Sequence, residues 1–130
     1  MSFKARCSID GYDFNVLECH YTFSQQTDNY GKPVARPTGG VIELLVESAA
    51  DTSLFDWMIA DAVAHNGSII FYRRDAISRL KELRFADAYC IRYTEYFNAE
   101  NEKPMQIRFR MSARKLTLNG STFEHPWTLK

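Results

Sequence analysis

The chain has 130 residues, 45% of them apolar and 25% charged, with sixteen basic and sixteen acidic side chains and so no net formal charge. This is the balance of an ordinary globular domain, and it argues against a nucleic-acid backbone binder, which is usually clearly basic. No stretch approaches the ~18 apolar residues of a membrane span, and the opening MSFKARCSIDGYDF lacks the apolar core of a cleaved Sec-type signal. The length predicts one domain over 1–130. An aromatic share of 14% leans toward β-structure. Three cysteines without CxxC spacing, Cys7, Cys19 and Cys90, are expected as reduced, buried thiols of a protein made in the cytosol.

Along the chain, FKARCSI alternates, with Phe3, Ala5, Cys7 and Ile9 on one face, as a half-buried strand does. Asp10-Gly11 predicts a tight hairpin turn. In YDFNVLECHYTFS the apolar positions change parity between Val16 and Leu17, so a bulge is expected there. Leu17, Cys19, Tyr21 and Phe23 form the expected core set after it. The next seventeen residues, SQQTDNYGKPVARPTGG (24–40), hold almost no aliphatic side chains, and a connection this long tends to be functional or disordered. Tyr30, Lys32 and Arg36, stiffened by Pro33 and Pro37, fit a docking arm better than a flexible linker. The strand GGVIELLVES follows, with Ile42, Leu44 and Val46 inward.

One helix is predicted over about 51–65. It starts at the cap candidates Asp51, Thr52 and Ser53, and its apolar stripe runs through Leu54, Met58 and Ala62 with Phe55, Ile59 and Val63. His65 is expected near its end, in a cap or dipole role, with Gly67 as the stop. Trp57 is expected in core or interface packing. SIIFYRR and RFADAYCIRYTEYF are the next strands. Between them DAISRLKEL, with Ile77, Leu80 and Leu83, is compatible with a short helix or an irregular crossover. MQIRFRMSARKLTL is a long strand with Met105, Ile107, Phe109 and Met111 inward, Asn119-Gly120 a second turn, and the Pro126-containing tail at most an edge strand. The sum is a mainly β domain, a small barrel or sandwich of antiparallel strands with one helix.

No catalytic constellation emerges, and no metal or cofactor site is expected. Cys19 and His20 are adjacent on a strand and so point to opposite faces. His125 lies in the tail, no Ser/His/Asp pattern has local support, and Gly39-Gly40 suggests only a bend. Arg73-Arg74 and Arg108/Arg110 suit a solvated strand face.

Taken together, the opening MSFKARCSIDGYDFNVLECHYTFSQQTD, the loop GKPVARPTGG, and the runs VIELLVESAADTSLFDWM, GSIIFYRRDA and LKELRFADAYCIRYTEYF resemble the haemolysin-coregulated protein family (Hcp, or TssD), the tube protein of type VI secretion, in its Bacteroidota-type branch. The resemblance spans nearly the whole chain. It implies a small β-barrel of two packed antiparallel sheets with one helix, a structural and non-enzymatic role, and assembly of six copies into rings. The rings would stack into a tube within a contractile sheath, behind a spike, with effector proteins in the lumen. Assembly would take place in the cytoplasm, followed by secretion without a cleaved signal, and the tail after Trp127 would carry no appended effector domain. The loop at 24–40, with Asp28, Asn29, Tyr30, Lys32 and Arg36, would be the arm that reaches a neighbouring subunit or ring. The strand faces outside the core would line the channel: Glu18, His20, Thr22 and Ser24 from the second strand, Glu43, Leu45 and Glu47 from the third, and Gln106, Arg108, Arg110 and Ser112 from the long late strand. An ordinary outer surface is the alternative for this face. Two other functions fit such a domain: the tube protein of a related phage-tail-like contractile injector, and a barrel that binds a small ligand in an aromatic interior.

Overall fold

The computed structural model describes residues 4–75 and 78–127. Seven strands and one helix follow in the order β1 (Lys4–Ile9), β2 (Tyr12–Tyr21), β3 (Val41–Glu47), α1 (Ser53–Ile59), β4 (His65–Tyr72), β5 (Arg79–Tyr96), β6 (Gln106–Leu118) and β7 (Ser121–Glu124). Every pairing is antiparallel. The order β3-β2-β1-β4-β5-β6 closes on itself because β3 also pairs with β6, and β7 hangs on the outer side of β6. Closure gives each of the six barrel strands a hydrogen-bonded neighbour on both sides, which limits the open edges that long strands in a small domain must otherwise manage.

Alternation fills the barrel. Cys7 and Ile9 from β1, Ile42, Leu44 and Val46 from β3, and Ile107, Phe109, Met111 and Ala113 from β6 all point inward and are buried. Each large apolar side chain buried this way contributes roughly 1.5–3 kcal/mol. The first hairpin turns at Asp10 (φ 47°) and Gly11 (φ 84°), the paired positive angles of a type I′ turn. The bulge expected in β2 is present: the register to β3 slips between Val16 and Glu18. It turns Leu17 outward, so Leu17 is exposed, as is Phe23 beyond the strand, while Cys19 and Tyr21 stay partly buried. Phe3, expected inward on β1, lies outside the described residues.

The helix is shorter than the sequence pattern indicates. It ends at Ile59, Ala60 is extended, and Ala62 takes a positive φ of 53°. Trp57 explains the stop. Its indole Nε1 donates to the Val63 carbonyl (2.8 Å), pinning the chain as it turns back to begin β4. Only Leu54 and Trp57 are buried, whereas Phe55, Ile59 and Val63 are exposed. The helix therefore joins the core through Leu54 and Trp57, with Met58 partly buried against it, and the Phe55, Ile59 and Val63 row stays outside. His65 and Gly67 accordingly open β4 and do not end a helix. His65 Nδ1 contacts the Asp10 carboxylate, and its ring meets Trp57 edge-to-face at 5.1 Å. A Cβ on Gly67 would sit 2.4 Å from the Ser8 carbonyl oxygen and against the Phe85 ring, so close strand packing sets this glycine.

Of the ambiguous segment, Arg79 onward is strand β5; Ile77 lies outside the described residues. Buried positions change parity between Phe85 and Ala88 on β5, and between Ala113 and Leu116 opposite them on β6. Asp87 (φ 52°) marks the corner, with its N–H donated to Asn66 Oδ1 and its carboxylate held by Arg114 at 2.7 Å.

Candidate functional site

Two surfaces stand apart from the core. One is the outer face of β2, β3, β6 and β5. In register across these strands, His20 lies beside Glu43, Glu43 beside Arg110, and Arg110 beside Arg92. One row along, Glu18, Leu45, Arg108 and Thr94 are neighbours in the same way. Glu43 is the hub. Arg110 Nη2 donates to one carboxylate oxygen (3.1 Å), Arg108 Nη1 to the other (3.2 Å), and His20 Nε2 stands 3.5 Å away. Arg108 also reaches Glu18 at 3.7 Å. The Arg110 hydrogen bond, helped by that from Arg108, holds the Glu43 carboxyl below the usual carboxylate range. Its side chain is only 17% exposed, whereas the two arginines are about two-fifths exposed. Leu45 is buried between Glu18 and Arg108, so the charged rows lie on an apolar floor.

The structure thus gathers Glu18, His20, Glu43, Arg108 and Arg110 into one cluster. Thr22 lines the same depression beside His20 and Arg110. Glu47 lies on the same strand but pairs elsewhere, accepting a hydrogen bond from Asn15 (3.0 Å). Ser24 is not on this face: it forms the first bridge of the arm, opposite Thr38. Arg92, Thr94 and Tyr96 complete the face and form, with Arg108 and Arg110, a shallow depression of about 440 Å³. They escape sequence inspection because only the β5–β6 register places them there.

The second surface is the arm at 24–40. It is an ordered, narrow hairpin, exposed along nearly its whole length. Ser24 and Thr38 exchange backbone hydrogen bonds (3.0 and 2.7 Å), and Val34 N–H donates to the Gln26 carbonyl. At the tip Asp28 Oδ1 accepts from the backbone N–H of Tyr30 (2.9 Å) and of Lys32 (3.0 Å), fixing the turn through Gly31. Tyr30 is 96% exposed. Asn29, Lys32 and Arg36 are exposed beside it. The root of the arm is clamped by the tail. Gly40 (φ +93°) has room for no Cβ beside His125 and the Ala113 carbonyl, and a Cβ on Gly39 would strike the Phe23 ring. His125 Nε2 lies 2.7 Å from the Gly39 carbonyl, and its ring stacks on Trp127. Gly39-Gly40 is therefore a close-packed joint as well as a bend.

The cysteines belong to the core. Burial raises all three thiols, Cys19 and Cys90 to about 11. Cys19 is partly buried while the neighbouring His20 is exposed. Among the described residues no cluster of His, Cys, Asp or Glu is arranged to hold a metal ion. The barrel interior is filled by Phe109, Ile42, Leu44, Ile69, Leu83 and Met111, all essentially without solvent contact.

A closed antiparallel barrel with a packed interior, a charged strand face and a projecting arm has the build of an assembly subunit. The family model for haemolysin-coregulated protein Hcp (TssD) matches residues 1–128, and the chain belongs to that family. Among solved structures, Hcp1 from Flavobacterium johnsoniae is 37% identical, with a TM-score of 0.89 over 94% of this chain and 99% of that one. Hcp1 from Salmonella typhimurium shares the fold at 12% identity, with a TM-score of 0.75 over 95% of this chain and 92% of that one. A chain of the anti-feeding prophage baseplate shares it at 15% identity and a TM-score of 0.55, over 91% and 92% of the two chains. No curated protein matched. The protein is a structural tube subunit of type VI secretion, and proteins of its family are secreted by that system.

Proposed function

We propose that this chain, a single domain over 1–130, assembles in the cytoplasm as a ring of six and leaves the cell inside the tube. The rings stack, with the arm at 24–40 bridging copies. The face of β2, β3, β6 and β5 lines the channel, the tube contacts sheath and spike from outside, and the lumen carries effector proteins. The role is structural and not enzymatic. The observation that carries this proposal is the charged face itself. A strand face that does not enter the packed barrel, mixes Glu18, Glu43, Arg92, Arg108 and Arg110, and neutralises most of its charge internally suits a hydrated passage for varied cargo. The fold shared with the prophage baseplate chain is compatible with a related contractile injector, and the family match favours type VI secretion. A ligand-binding barrel has no support from an interior already filled by side chains.

Thiol labelling tests the lumen. Cysteine placed at Thr22 or Arg108 in assembled tubes is expected to react with a bulky reagent far more slowly than cysteine at Asp61, an exposed position just beyond α1. Equal rates at all three positions would place the charged face on the outside.

A further inference from the structure

The arm has an unmatched cationic tip, and the opposite pole of the barrel has a matching receptor. Asp28 is the arm's one carboxylate, and its Oδ1 is spent on the arm's own backbone. Lys32 and Arg36 have no acidic side chain within 4 Å among the described residues. Within the turn, Tyr30 holds an aromatic ring almost wholly in water, where an aromatic side chain stands to bury ~150–250 Å² on docking.

The receptor is a pocket of about 500 Å³ between the β1–β2 turn and α1, walled by Tyr12, Phe14, Leu54 and Trp57. Asp10, Asp51 and Asp56 line it, with no lysine or arginine among its described lining residues. The hydroxyl and backbone N–H of Ser53 both donate to Asp51 and hold its carboxyl below the usual range. Asp56 accepts from Thr52, and Asp10 is shared with His65.

The two features occupy opposite poles. The arm joins the end of β2 to the start of β3, whereas the pocket lies at the start of β2 and beyond the end of β3. Seven residues of β3 separate them, roughly 20 Å at the strand rise. Between copies that run the same way, a projection at one pole and its complement at the other can join head to tail, a heterologous contact that extends along an axis when its rotation does not close.

We propose that Tyr30 of one copy enters the pocket beside α1 of a second copy in the adjacent ring, with Lys32 and Arg36 against Asp51 and Asp56. This rests on the arm being an assembly element and adds what it binds.

Cross-linking tests it in the full chain. Tyr30→Cys combined with Thr52→Cys, treated with a short thiol–thiol cross-linker after tube assembly, is expected to give a ladder of covalent multimers extending beyond six chains. Neither single variant should exceed dimers, since the native cysteines are buried or half-buried. A ladder that stops at six would place the contact around the ring and overturn the axial docking. Charge exchange gives the second readout. Lys32→Glu with Arg36→Glu should weaken ring stacking about tenfold, and adding Asp51→Lys with Asp56→Lys should restore it. If the arm reversal abolishes stacking, but the exchange does not rescue it and no ladder forms, the receptor lies elsewhere and this inference fails while the arm keeps its role. If a chain lacking the arm stacks like the wild type, the assembly role of the arm fails as well.

Discussion

At the scale of single residues, Glu43 and Gly40 carry the most testable consequences. Glu43 serves two arginines from one partly buried carboxylate. Replacing it with alanine is expected to cost about 1 kcal/mol, with Arg108 and Arg110 left facing each other, and a double-mutant cycle against Arg110→Ala should show coupling of ~0.2–1 kcal/mol. Its folded carboxyl is held below the ordinary range. The stabilisation is therefore fully present above the unfolded carboxylate pKa and fades as pH falls through the depressed folded value. Chemical denaturation of wild type and Glu43→Ala should thus differ at neutral pH and converge in acid; a difference independent of pH would contradict the ion-pair account. Gly40 combines a positive φ with a Cβ position 2.9 Å from the Ala113 carbonyl oxygen. Gly40→Ala should destabilise the fold by about 1–3 kcal/mol through backbone strain, measured as a lowered denaturation midpoint. The sequence shows Gly39-Gly40 only as a bend, because the atoms that demand glycine come from Phe23, Ala113 and His125.

At the scale of elements, strands were legible where alternation is strict. β1, β3 and the first half of β6 place their apolar sets inward as the pattern indicates, except that Met105 precedes β6 and is exposed, and the parity change in YDFNVLECHYTFS marks the bulge of β2. Strand pairing was not legible: the neighbours of β5, and hence the place of Arg92 and Thr94 on the charged face, depend on contacts between residues far apart in sequence. The helix was overextended because Ala60 to Ala64 have helix-compatible composition, while the Trp57–Val63 hydrogen bond and the start of β4 end it early. The arm was visible as a run with almost no aliphatics, but its hairpin order was not, since it rests on the Asp28 side chain and on the Ser24–Thr38 bridge. The arm is exposed and contributes little to the core, so deleting 28–36 should leave a folded barrel that no longer forms tubes. Circular dichroism and electron microscopy of the same sample check both halves, and normal tubes from the deletion would refute the role.

At the scale of the whole molecule, closure of β3 on β6 makes a rigid, self-sufficient unit whose remaining features all face outward: a charged strand face, an arm at one pole and an acidic pocket at the other. Such a unit has little to gain from acting alone, and its zero net charge does little to oppose self-association. Each subunit contact in the ring should bury more than ~1,000 Å², the level of a specific interface. Native mass spectrometry of the purified chain over a range of concentrations tests the ring most directly. The account predicts a dominant species of six chains that persists on dilution into the micromolar range, whereas a monomer throughout that range would contradict it.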